Sequence, residues 1–254
     1  MFYTLQLTVF AAVTILLATL TVLLGLVDPY GKVVYRINQF WTWIILRAGG
    51  ISLQVSGLEN IDPACSYVFM VNHQSNVDIP VIVQSLLPFQ LRWIAKKELL
   101  WVPFFGWAMA STQMISIDRS KGRDAFEQVV EQGADRLARG WWIVIFPEGT
   151  RTPPGSTRRY KTGGARLAAR TGAFAVPIAV NSGEFWPRQP LIKAPGTITV
   201  SIGPPIDPRG KTADEVGALV ESWIETEMRR LAPHRYDGPY MPLNRAGAVA
   251  ATSA

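Results

Sequence analysis

Seven short runs rich in β-branched and aromatic residues punctuate this chain, and stretches of helical periodicity separate most of them. The strand candidates are 52–56, 67–71, 91–95, 114–118, 142–146, 174–180 and 197–202. The helix candidates are 79–87, 99–111, 124–138, 164–170 and 213–231. Strands that are apolar along their whole length need cover on both faces. Alternated with helices, they predict an α/β fold with a mixed central sheet flanked by helices. At 254 residues the chain suffices for one such domain and an appendage.

The appendage is N-terminal. Residues 1–27 carry no charged side chain, and as one helix they extend about 40 Å, against roughly 30 Å of bilayer hydrocarbon. Threonines at 4, 8, 14, 19 and 21 soften the run but can bond back to their own helix. A secretory signal does not fit, because no basic residue precedes the run and no small-x-small site follows it. The first charges are Asp28, Lys32, Arg36 and Arg47. Basic residues on that side alone predict a globular part facing the cytoplasm at the inner (plasma) membrane. Residues 40–46, Phe-Trp-Thr-Trp-Ile-Ile-Leu, are too short to span and suit an interfacial helix or a core-packing one about equally. The expected organisation is an anchor and interfacial helix over 1–50, an α/β domain over 51–232 and a flexible tail over 233–254. Hydrophobic residues at 48% and nine tryptophans accord with a membrane-associated protein. A net charge of +6 selects anionic partners: nucleic acid, phospholipid head groups or a phosphorylated substrate.

Only two histidines are present, so a histidine-dependent chemistry centres on His73. It lies in Asn72-His73-Gln74-Ser75-Asn76-Val77-Asp78, between the strand at 67–71 and the helix opening at Ile79-Pro80. Such strand-to-helix connections are where α/β folds place their sites. On one continuous helix a five-residue step turns the two side chains about 140° apart, whereas across a turn they meet. Asp78 then accepts the Nδ1 proton of His73, which leaves Nε2 to take a proton from a hydroxyl. The competing reading makes Asp78 a helix N-cap only. One histidine and one aspartate fall short of a metal ligand set, with His234 placed in the tail. Ser75 lacks the glycine elbow of a serine nucleophile.

The second constellation is Phe146-Pro147-Glu148-Gly149-Thr150-Arg151, a sharp turn after the apolar strand at 142–146. Beyond it Arg151, Arg158, Arg159, Lys161, Arg166 and Arg170 accumulate, with no acidic residue between Glu148 and Glu184. Together they read as an anion site or a membrane-facing patch. For Arg158 and Arg159 a solvated basic face is as good a reading, whereas Arg151 is pinned in the turn.

In these blocks the chain resembles the glycerolipid acyltransferases whose best-known members act on 1-acylglycerol 3-phosphate. The Asn-His-x4-Asp block is matched by Asn72, His73 and Asp78, and the Phe-Pro-Glu-Gly-Thr-Arg block at every position from Phe146 to Arg151. A third block is met by Lys96-Lys97-Glu98-Leu99, Pro103, Gly106 and Ile117-Asp118-Arg119, and a fourth by Val176-Pro177-Ile178. The likeness runs in order from about Val55 to Ile206. One local departure is Thr152, where serine is expected after the arginine, and the hydroxyl is kept.

The resemblance implies transfer of an acyl group from acyl-CoA or acyl carrier protein to the sn-2 hydroxyl of lysophosphatidic acid, giving phosphatidic acid. It implies no cofactor or metal, since a thioester is already activated. His73 and Asp78 are the implied catalytic pair. Arg151, Glu148, Gly149 and Thr150 are implied to bind the acceptor phosphate, with Lys96, Lys97 and Arg119 in support. Glu148 either contacts the acceptor or braces Arg151, and the backbone around Gly149 is a candidate for the oxyanion. Residues 100–107 line an acyl groove or belong to the core. The implied partners are the bilayer, the lysolipid and the acyl donor. Nucleic acid is excluded: the charge suits it, but the uncharged anchor does not and no recognised module is visible. A same-family enzyme acting on another lysolipid or aminolipid, and a catalytically silent lipid-binding protein, are the rival readings. An intact His73–Asp78 pair argues against the second.

Overall fold

The computed structural model describes residues 2–28, 30–87, 89–118, 120, 123–187 and 193–241, with side chains from residue 11 onward except that of residue 123. The elements are α1 (Phe2–Gly25), α2 (Lys32–Ala48), β1 (Ile51–Ser56), β2 (Tyr67–Val71), α3 (Asp78–Ser85), β3 (Leu91–Lys96), α4 (Phe105–Ser111), β4 (Ile115–Ile117), α5 (Arg123–Ala138), β5 (Trp142–Ile145), α6 (Gly163–Thr171), β6 (Phe174–Val180), β7 (Gly196–Ile202) and α7 (Ala213–Leu231). Seven strands form one sheet in the order β1-β7-β6-β2-β5-β3-β4. From β6 through β4 every neighbouring pair is parallel, and so is β1 with β7, whereas β6 meets β7 antiparallel. The sheet is mixed, as the strand pattern predicts.

Strand alternation divides the core into two layers. Tyr67, Phe69 and Val71 of β2 point into a cluster with Val81, Ile82 and Val83 of α3 and Ile45 and Leu46 of α2. Val68 and Met70 point the other way, toward Val129 of α5, Leu167 of α6 and Val220 and Ile224 of α7. Helices therefore cover both faces. Helix α7 starts at a capping box in which Thr212 accepts from the Glu215 N–H and Glu215 accepts from the Thr212 N–H.

Two expectations are corrected here. The helix predicted over 99–111 is split into a 3₁₀ turn over Lys97–Trp101 and the separate α4. Pro103 cannot extend a helix through its own nitrogen, and Phe104 takes φ 61° and ψ −57° while the Phe105 N–H bonds to Pro103 O at 2.7 Å. This is a γ-turn with positive φ, a rare and strained form. The tail is also less free than its composition suggests. Residues 233–241 belong to the fold, where His234 and Arg235 both bond to Glu184 and Tyr240 bonds to Glu221. Residues 242–254, the rest of that predicted tail, lie outside the described residues.

The N-terminal expectation changes in part. α1 and α2 form as helices and pack on each other, with α1 also against α4. Trp41 Nε1 donates to Thr14 Oγ1 across the pair, and the Asp28 carboxylate accepts from the N–H groups of Lys32, Val33 and Val34 at the start of α2. Among the described residues no helix is long and apolar enough to cross a membrane, so the predicted crossing by residues 1–27 is not borne out. Thr19 and Thr21 bond back to Ile15 O and Leu17 O.

Candidate active site

Strands β6, β2, β5, β3 and β4 all end on the same side of the sheet, and the side chains with chemistry gather there. Central strand β2 delivers Asn72 and His73, its neighbour β5 delivers Phe146 to Arg151, and β6 delivers Ser182. This is the carboxyl edge of an open α/β sheet, where strand order reverses and ligands bind. Asn72 locks the position. Its amide donates to Val180 O at 2.9 Å and accepts from the Val180 N–H at 2.7 Å, so β2 and β6 stay paired one residue beyond their ladder.

His73 Nδ1 lies 2.7 Å from Asp78 Oδ2, and the five-residue step closes across a turn. Asp78 is fully buried. Its Oδ2 also accepts the N–H groups of Gln74 and Ser75, each at 2.9 Å, and its Oδ1 accepts the Ser182 hydroxyl. The N-cap reading is thereby corrected: the carboxylate faces the loop before the helix, while Val77 is the cap residue and receives no side-chain cap. Four donors orient the Asp78 side chain. With Nδ1 engaged, Nε2 of His73 meets no partner among the described residues, and 19% of the side chain stays accessible. The imidazole lies flat on the Phe146 ring, centroids 3.9 Å apart and planes 13° from parallel, and Phe146 stacks in turn on Trp93.

Glu148 neither touches Arg151 nor projects outward. It is 3% exposed, and its Oε1 accepts the His73 N–H at 3.1 Å. Thr152 N–H donates to His73 O at 2.7 Å, so the two ends of the turn grip both sides of the His73 backbone. Oε2 of Glu148 and the Thr152 hydroxyl are buried without a hydrogen-bonding partner. Burial pushes the Glu148 carboxyl up to about 8, against the pull of the His73 N–H, and the charges of Glu225 and Asp78 push the same way as burial. Glu148 is thus a neutral acid at pH 7.

Gly149 has φ 70°, and a Cβ there would meet Lys161 Nζ at 2.8 Å. The positive φ favours glycine, whereas the lysine end can swing aside. The Gly149 N–H bonds to Phe146 O, so an oxyanion donor from this stretch would be a neighbouring backbone N–H. Thr150 and Arg151 are half-buried beside it, and Arg151 has no ion-pair or hydrogen-bonding partner among the described residues. Lys96, at the end of β3, is exposed. Lys97 is bound at 2.5 Å to Asp118, whose carboxyl is held down to about 2 by that ammonium and by the Ser120 hydroxyl. This pair ties two parts of the third block together. Arg119 lies outside the described residues.

The expected basic cluster divides. Arg166 stacks on Phe126 and Arg170 pairs with Glu127, so both serve the α5–α6 contact. Arg158 and Arg159 are exposed. Sequence reasoning missed Ser182, the Phe146 stack and the bracing role of Glu148. The hydroxyl of Ser182 sits 104 residues from Asp78, with no local pattern to mark it; a polar Asn181-Ser182 pair just past the buried β6 was the available signal.

Residues 52–181 match the family model described as Acyltransferase. The chain is 39% identical over 207 residues to the 1-acyl-sn-glycerol-3-phosphate acyltransferase of Pseudomonas aeruginosa, a match covering 80% of this chain and 79% of that one. It is 33% identical over 175 residues to the alpha form from Mus musculus, covering 68% and 61%. The crystal structure of a 1-acyl-sn-glycerophosphate (LPA) acyltransferase from Thermotoga maritima shares the fold, with TM-score 0.64 at 23% identity over 87% of this chain and 97% of that one. With four ordered blocks, a paired His73 and Asp78 and these relatives, the chain belongs to the acyltransferase family of the 1-acyl-sn-glycerol-3-phosphate acyltransferases.

Proposed function

We propose that this enzyme transfers a fatty acyl group from an acyl thioester to the sn-2 hydroxyl of 1-acylglycerol 3-phosphate, forming phosphatidic acid. The observation that carries the mechanism is the 2.7 Å His73–Asp78 contact, with Nε2 left open at the carboxyl edge of the sheet. Nε2 accepts the hydroxyl proton as the acceptor oxygen attacks the thioester carbonyl. The carbon–oxygen bond forms, the tetrahedral intermediate collapses and the carbon–sulfur bond breaks. The departing thiolate takes the proton back from the imidazolium. Buried Asp78 stabilises that imidazolium and fixes the tautomer before it forms. A positioned base of this kind contributes about 10²- to 10⁴-fold in rate.

Arg151 supplies the acceptor's phosphate with a guanidinium fork, and Lys96 adds charge from the neighbouring strand end. Arg151→Ala raises the KM for the lysolipid more than that for the donor; the reverse pattern would move Arg151 to the donor side. Coenzyme A and acyl carrier protein both present the thioester this chemistry needs.

Exposed apolar side chains support a membrane-surface reading. Leu16, Leu23, Leu26 and Val27 on and after α1, Phe40 and Trp43 on α2, and Trp101, at 82% exposure, near α4 are all open. Their helices pack together, so they present a shared face to one leaflet, with indoles suited to head-group depth. The α/β domain then faces the cytoplasm at the inner membrane, where lysolipid and product both reside.

A further inference from the structure

Arg151 is followed by an irregular segment, 152–162, that leads into α6. Its near end is held by the Thr152–His73 backbone bond. Its far end is held by something outside the matched domain. Glu225, on α7 and 4% exposed, accepts the Thr157 hydroxyl on Oε2 at 3.1 Å and the Tyr160 hydroxyl on Oε1 at 3.3 Å. Arg229, one turn further along α7, donates to Glu225 Oε2 at 3.2 Å and to its carbonyl at 2.7 Å. The same guanidinium lies over the rings of Tyr236 and Tyr240. Glu221 accepts the Tyr160 N–H at 3.4 Å. Between these anchors Gly155 runs so close to the chain that a Cβ would lie 2.4 Å from Arg235 O. A buried carboxylate that satisfies two hydroxyls from one loop is costly to desolvate. Burial raises the Glu225 carboxyl, and Arg229 and the two hydroxyls draw it back.

We propose that Glu225 is a positioning residue for acceptor binding: from the C-terminal helix it fixes the 152–160 segment, and through that segment the guanidinium of Arg151. The inference rests on Arg151 as the phosphate ligand. A small displacement of a positioning group costs affinity and rate steeply, and the cost here falls first on the acceptor, because Glu225 bonds neither His73 nor Asp78 and the segment meets His73 only at its backbone carbonyl.

The test is a steady-state double-mutant cycle on the full-length protein, with lysophosphatidic acid and acyl-CoA as substrates. Glu225→Ala raises the KM for lysophosphatidic acid about tenfold or more, leaves the KM for acyl-CoA unchanged and keeps kcat within a few-fold. Glu225→Gln, whose single amide oxygen still accepts from Tyr160 while Arg229 keeps its bond to the backbone carbonyl of residue 225, recovers part of the loss. On an Arg151→Ala background Glu225→Ala adds nothing. If Glu225→Ala folds poorly, Thr157→Val removes one bond of the clasp and gives the same selective rise at smaller size. An unchanged acceptor KM in both clasp variants, with Arg151→Ala raised, overturns the clasp and leaves the Arg151 reading intact. An Arg151→Ala enzyme with normal acceptor KM ends the Arg151 reading instead, and an undiminished Glu225 effect on that background overturns the route through Arg151.

Discussion

His73 is immobilised from every side: Asp78 on Nδ1, Phe146 beneath the ring, and Glu148 and Thr152 on its backbone. Only Nε2 is left for substrate. The most exacting consequence concerns Glu148. Its folded carboxyl titrates near 8 against an ordinary 4.5, so the folded protein keeps a proton that the unfolded chain releases. Stability from this group is full below about pH 4.5 and falls as pH rises toward 8, by at most about 1.4 kcal/mol per pH unit. Glu148→Gln keeps an acceptor for the His73 N–H and has no proton to lose. The melting temperature of the wild type therefore falls more between pH 5 and pH 8 than that of Glu148→Gln; parallel curves would show Glu148 to be ionised in the fold. Ser182→Ala removes one of the donors on Asp78 and lowers kcat about tenfold while leaving both KM values nearly unchanged. Undiminished turnover there would make the Ser182 contact incidental.

At the scale of elements, all seven strands were legible as short apolar runs, with β-branched and aromatic residues dense in β2 and β5 and thinner in β1 and β3. The bounds of β6 and α7 coincide with the sequence reading, α7 because Thr212 and Glu215 cap it and leucine, valine and isoleucine recur at helical spacing. Thr212→Ala lowers unfolding stability by about 1 kcal/mol, visible as a lower midpoint in urea; an unmoved midpoint would mean that packing alone holds the helix start. The stretch around Phe104 was not legible, since helical periodicity outvoted a single proline and no pattern announces a positive-φ turn. The clasp was equally hidden: Glu225 and Thr157 are 68 residues apart, and each looks ordinary where it stands.

For the whole molecule, His73 and Asp78 were legible because both lie in one loop and share it with a distinctive block. The role of Glu148 was not, because a glutamate in a turn is normally solvated and only the assembled sheet buries it. The account of the N-terminus also belongs to this scale. α1, α2 and the turn before α4 each expose apolar side chains, so on the proposed membrane-surface reading deleting residues 1–27 weakens sedimentation with phospholipid vesicles without abolishing it, the aromatic residues of α2 and the 101–107 stretch remaining. Undiminished sedimentation would show α1 to be dispensable for membrane contact. The central claim is that one imidazole, poised by a buried carboxylate, moves an acyl group onto lysophosphatidic acid. Acyl transfer to that acceptor, measured with acyl-CoA and with acyl carrier protein for wild type beside a folded His73→Ala variant, tests it most directly. Phosphatidic acid formed by wild type and reduced at least a hundredfold in the variant is the predicted result; equal turnover by both would contradict it.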